Sequence, residues 1–234
     1  MAQDNFLNEA AMAQDTASTL MPEEKTLSIM ELVMSGGIGG QLVMLTLFIL
    51  SVIAVYLFIE RYLSIKKAAK EDTNFMNNIR DYIVNGKVDA AKSLCENTNT
   101  PVARMLEKGI SRIGKPLNDI SAAIENTGKL EVSKLEANLA TLATISGAAP
   151  MIGFLGTVIG MILAFHEMAM AGGQINVEML SKGIYTAMTT TVAGLIVGIV
   201  AYIGYNMLVT KVAKVVYKME ARTTEFLDLL HEPA

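Results

Sequence analysis

SGAAPMIGFLGTVIGMILAF (residues 146–165) decides the fold. It carries no charge, and roughly 20 helical residues suffice to cross the hydrocarbon core of a bilayer. Small and hydroxyl side chains interrupt its apolar surface at helical spacing. Gly153, Thr157 and Ala164 fall near one face, and Gly156 and Gly160 form a GxxxG beside them. In lipid, hydrophobicity does not drive helices together, whereas small residues let backbones approach closely. The stretch therefore reads as a helix that packs against others or borders a polar path. Pro150 lacks an N–H, so the carbonyl of Ser146 loses its helical donor and a kink is expected there.

Two further windows match it. Residues 32–59, 137–165 and 183–210 contain no charged side chain and run 28, 29 and 28 residues in a chain that is 52% hydrophobic. That composition excludes a disordered chain and indicates a membrane protein. The net charge of −4 is informative only through its distribution. Residues 1–31 hold one basic side chain, residues 60–136 hold thirteen, residues 166–182 hold one and the tail from Lys211 holds four. The positive-inside rule then places the N-terminus outside and both residues 60–136 and the C-terminus in the cytoplasm.

The expected organisation follows in chain order. Residues 1–40 form an external tail with a short interfacial helix over residues 25–34, and the first span covers 41–60. It starts near Gln41 because the glycine run at 36–40 disfavours helix. A cytoplasmic helical domain occupies 61–136, with breaks at Asn85-Gly86, Thr100-Pro101 and Gly114-Lys115-Pro116. From Leu117 the apolar spacing continues with few breaks into the second span, 137–165, and suggests one long helix. An external loop (166–182), a third span (183–210) and a C-terminal cytoplasmic helix (211–234) complete the chain. The fold class is an all-α membrane protein, three transmembrane helices with long cytoplasmic extensions.

The third span repeats the pattern of the second. Thr186, Thr190, Gly194 and Gly198 follow at steps of four, and Thr191 lies one position round. The ordinary role of a threonine in a membrane helix is to bond back to a carbonyl of the preceding turn. No enzyme constellation accompanies them. Residues 109–115 (GISRIGK) match the start of a P-loop, but Pro116 stands where Ser or Thr is required. The single cysteine, Cys95, cannot form an internal disulfide, and His166 and His231 lack ligand spacing, so neither metal nor other cofactor is expected. Nor is a nucleic-acid partner. The spans contain no Asp, Glu, His, Lys or Arg, the groups that usually relay protons inside membranes. If this chain helps move protons, the titrating group must come from a partner.

APMIGFLGTVIGMILAF, a short loop, and KGIYTAMTTTVAGLIVGIVAYIGYN together resemble the ExbB/TolQ/MotA proton-channel family, nearest its ExbB members. TPVARMLEKG (residues 100–109) resembles the family's cytoplasmic segment, and the likeness covers roughly residues 40–215. It implies a bacterial inner-membrane homopentamer, a ring of subunits in lipid. The second and third helices would line a pore holding ExbD-like single-span partners that supply an aspartate. Proton flow would energise a TonB-like protein for outer-membrane transport. Thr157 matches the family's pore threonine, Thr191 its third-helix threonine and Pro150 its kink proline. ExbB and TolQ members usually carry a glutamate five residues before that threonine; here Thr186 occupies the position and offers only a hydroxyl to the pathway. Gly153, Gly156, Gly160, Gly194 and Gly198 are the expected packing residues. TolQ-like and motility-motor roles, and a non-conducting scaffold, are the alternatives, with sodium as an alternative ion.

Overall fold

The computed structural model describes residues 37–70, 74–170 and 177–231. The external tail and interfacial helix expected before residue 37 lie outside these. Seven helices make up the described residues: α1 (Gly37–Ala69), α2 (Phe75–Val84), α3 (Val88–Asn97), α4 (Pro101–Ile110), α5 (Leu117–Glu136), α6 (Leu139–Met170) and α7 (Val177–His231). Among the described residues, three helical stretches are long and apolar enough to cross a membrane, one each in α1, α6 and α7.

α6 and α7 form the principal hairpin, and α1 packs against both. Val43 and Leu47 of α1 sit on Ala149 of α6 in a small buried cluster bordered by Ala193 and Val197 of α7. Large apolar side chains elsewhere on α1 (Leu42, Phe48, Val52) remain exposed, as a lipid-facing surface requires.

α1 begins at Gly37 rather than near Gln41. Helix propensity argues against glycine, but tertiary packing overrides it. A Cβ built on Gly39 would lie 3.0 Å from the Ile159 side chain, so this glycine lets α1 approach α6.

The charged side of the molecule is a helical bundle with the expected stops. Gly86 and Gly114 take positive φ (70° and 93°) at the two glycine turns. Thr100 caps α4, its hydroxyl accepting from the Ala103 amide at 3.3 Å, with Pro101 at the first helical position. A proline there forfeits no intrahelical bond. Ile79, Ala91, Cys95, Leu106, Ile110, Ile124 and Phe226 are buried in one continuous core that also takes in Leu208 and Val212. Phe226, near the end of α7, thus anchors the third span's extension among the charged-side helices.

Two connections differ from expectation. The long helix anticipated from Leu117 is two, because Asn138 adopts φ 63° between α5 and α6. Asparagine is among the few residues that tolerate this conformation. Conversely, the third span and the C-terminal helix are one uninterrupted helix of 55 residues. Between Thr210 and Lys211 the composition changes but no breaker intervenes. Much of the expected external loop is helical as well, as the end of α6 and the start of α7.

Candidate functional site

The site grows from a place where two backbones nearly touch. A Cβ on Gly153 of α6 would stand 2.7 Å from the Thr190 carbonyl oxygen and 3.2 Å from the Thr191 Cα of α7. Across the contact, a Cβ on Gly194 would stand 2.6 Å from the Ala149 carbonyl oxygen and 2.9 Å from the Gly153 Cα. Only glycine fits at this separation, since real Cβ atoms do not approach so closely. The seam continues in both directions. Gly156 faces the Thr190 side chain, Gly160 faces Ala187, and Gly183 faces Ala164.

Gly198 seats the proline. A Cβ there would meet the Pro150 ring at 2.5 Å and the Ser146 carbonyl oxygen at 3.0 Å. The carbonyl that Pro150 leaves without an amide donor therefore lies against the α7 backbone, and α6 runs through Pro150 without interruption.

Close approach brings side chains of one helix to the backbone of the other. Three hydroxyls converge on the Gly153 carbonyl oxygen. Thr190 Oγ1 donates to it at 3.1 Å, Thr191 Oγ1 at 3.2 Å and Thr157 Oγ1 at 3.4 Å. Thr157 and Thr191 are also hydrogen-bonded directly to each other through their hydroxyls. Thr190 has a second acceptor, the Ala187 carbonyl oxygen at 2.7 Å. Thr189, the remaining member of the triplet, bonds back to Tyr185 at 2.8 Å. One of three adjacent threonines thus follows the ordinary back-bonding pattern alone.

Thr157 and Thr191 are half-buried, whereas Thr190 is 2% exposed. Beside Thr157 an apolar groove of about 460 Å³ runs along α6 between Phe154, Val158, Met161, Ile162 and Phe165. Thr186 is buried, and a Cβ built on Gly40 of α1 would come within 3.8 Å of its methyl. The structure joins Thr157 to Thr191 and places Thr186 beside α1. Thr190 fell on the step-of-four stripe, which puts it at a helix contact. The stripe could not disclose that its hydroxyl crosses to Gly153.

A second polar cluster lies on the charged side. Arg104 of α4 donates to Glu131 of α5 at 2.5 Å and to Asn99 Oδ1 at 2.6 Å, and Lys134 donates to Glu131 at 2.7 Å. Burial pushes the Glu131 carboxyl up, but the bonds from Arg104 and Lys134 outweigh it and hold the group below its ordinary value. Cys95 is buried, and desolvation together with Glu107 and Glu96 pushes its thiol up to about 12.

Fold and site together define a multi-pass helical membrane protein whose principal hairpin holds hydroxyls, and no Asp, Glu, His, Lys or Arg, within the apolar windows 137–165 and 183–210. Residues 97–221 match the family model of the MotA/TolQ/ExbB proton channel family, and the chain belongs to that family. The chain is 25% identical over 198 residues to a biopolymer transport protein ExbB homolog of Methanothermobacter thermautotrophicus, covering 82% of this chain and 67% of that one. It is 26% identical over 215 residues to the Tol-Pal system protein TolQ of Pseudomonas aeruginosa (87% and 93% covered). It is 37% identical over 103 residues to the biopolymer transport protein ExbB of Aquifex aeolicus (43% and 69% covered).

Proposed function

We propose that the chain is an ExbB-type subunit of a proton-driven motor in a bacterial inner membrane, with the Thr157–Thr191 hydroxyl pair on the proton path. The carrying observation is that pair, bonded across the hairpin in spans without Asp, Glu, His, Lys or Arg. A hydroxyl can donate and accept hydrogen bonds but does not ionise near neutral pH. It can orient water or a carboxylate that another chain brings. A ring of subunits, taken as a pentamer, would surround ExbD-like helices, the apolar groove beside Thr157 receiving a helix face and the hydroxyls meeting its aspartate. The charge distribution supports a cytoplasmic bundle and an external N-terminus. Motion of that partner would energise a TonB-like protein. One proton falling through 100 mV carries about 2.3 kcal/mol, so the work requires several protons or a pH gradient.

The test replaces Thr157 and Thr191 with valine, which keeps shape and removes the hydroxyl. A motor assembles with its one-span partner, seen as a pentamer with bound partner by native mass spectrometry, and loses proton flux. A scaffold assembles and keeps its function. Thr186→Val in the same assay separates a path role for Thr186 from packing against α1.

A TolQ-type role is the second reading, favoured by the long match to the Pseudomonas aeruginosa relative. Complementation of exbB and tolQ deletion strains distinguishes the two.

A further inference from the structure

The Gly153 carbonyl is oversubscribed. A backbone carbonyl oxygen has two lone pairs. The helical register offers it the Thr157 amide, and the hydroxyls of Thr157, Thr190 and Thr191 all lie within bonding distance. Four donors therefore compete for two places. The competitors differ in what else they can reach. Thr190 is buried and has one other acceptor, the carbonyl of Ala187 at 2.7 Å. Thr157 and Thr191 are half-buried and have each other.

We propose that Thr190 is the positioning residue that decides whether the Thr157–Thr191 pair presents a hydrogen to the path. When Thr190 donates to Gly153, both lone pairs are filled. Neither Thr191 nor Thr157 then finds a place there. One donates to the other, and the hydroxyl hydrogen left over points away from the backbone, towards an incoming carboxylate or water. When Thr190 rotates to Ala187, a lone pair on Gly153 is vacated and Thr191 turns inward to fill it. The pair then meets the path with oxygen lone pairs. No bond to carbon breaks and no proton leaves a threonine; a rotation about one side-chain torsion reverses the polarity of the surface. Gly156 holds Thr190 to this task, because its missing Cβ would fall 2.5 Å from Thr190 Oγ1.

This proposal rests on reading the pair as part of a proton path, so its test has one arm that needs no partner. Gly153-Phe154 is the sole Gly-Phe dipeptide in the sequence. Carbonyl-13C glycine with 15N phenylalanine therefore marks one carbonyl in the full chain, readable by solid-state NMR in lipid. In the wild type, T191V is expected to leave the Gly153 carbonyl resonance in place, because Thr190 holds it. In a T190V background, adding T191V is expected to move it, because Thr191 has taken over. T190S should restore the wild-type pattern. A shift on T191V alone, or no further shift when T191V is added to T190V, overturns the hierarchy. In the complex with the one-span partner, T190V is expected to lower proton flux about tenfold, the weight of one hydrogen bond, with T190S close to wild type. Unchanged flux in T190V alongside lost flux in T157V overturns the role in the path. Flux unchanged in T157V and T191V as well overturns the motor reading, while the carbonyl arm still reports on Thr190.

Discussion

Along the α6–α7 seam the contact is carried by Gly153, Gly156, Gly160, Gly194 and Gly198. In the charged-side bundle it is carried by Ile79, Leu106, Ile124 and Phe226, all completely buried. The polar groups divide in the same way. In the seam a backbone carbonyl gathers neutral hydroxyls, whereas in the bundle a carboxylate gathers an arginine and a lysine. Water accounts for the contrast. Where water surrounds the helices, burying large apolar surface is itself the driving force, and an ion pair at the rim remains partly solvated. Where lipid surrounds them, stability comes from backbones close enough for dispersion and hydrogen bonding, and a charge would be costly. The seam gains proximity by giving up side chains, and proximity is what lets a threonine of one helix reach a carbonyl of the other.

The largest break in this comparison should come from giving the seam a side chain. Gly194→Val would drive atoms into the Ala149 carbonyl and the Gly153 backbone, neither of which can yield. A loss of about 3 kcal/mol or more is expected, measurable as loss of the folded hairpin by steric trapping in lipid; tolerance of valine would show that the helices sit further apart.

On the other side, Glu131→Gln leaves Arg104 and Lys134 without their carboxylate. Because Arg104 is 37% exposed, solvent compensates in part, and about 1–2 kcal/mol is expected, read from thermal unfolding of the charged-side bundle. The depressed Glu131 carboxyl adds a pH signature. Its unfolded form binds protons more readily, so its contribution is full above the ordinary carboxylate range and declines as pH falls from about 5 towards the native value. The bundle's melting temperature should drop over that interval in the wild type and less so in E131Q. The seam, which has nothing to titrate, should not follow.

The smallest effect concerns Cys95. With its thiol pushed up to about 12, it should resist maleimide at neutral pH in the folded chain and react only on unfolding. Because the unfolded thiol ionises first, its contribution to stability declines as pH rises above about 9. Cys95→Ala should lower stability by about 1 kcal/mol, and rapid labelling of native protein would place Cys95 outside the core.

Much of this contrast is legible in the sequence. Charge-free windows mark the spans because excluding charge is a requirement of lipid, and glycines and threonines at steps of four mark the seam because a helix face repeats at that step. Two-helix facts are not legible. Nothing local in Asn138 distinguishes it from a solvent-facing helical residue until its positive φ separates α5 from α6. The glycines at the start of α1 read as helix breakers because propensity reports only the chain's own preference, not the Ile159 side chain waiting opposite. Thr157 and Thr191 are visible as members of stripes and through the family likeness, but the bond between them joins residues 34 apart. Arg104 and Glu131 meet across 27 residues, a distance at which spacing carries no signal.

Asn138 also sets up a mechanical asymmetry. The hairpin stands on two rails. One is jointed at a single residue at the charged-side end of its apolar window; the other, α7, is an unjointed rod of 55 residues, about 80 Å long at the helical rise. Phe226, locked in the bundle, and Thr191, set in the membrane, belong to that same rod. One rail thus joins membrane and bundle without a break, while its neighbour reaches the bundle only through the bend at Asn138.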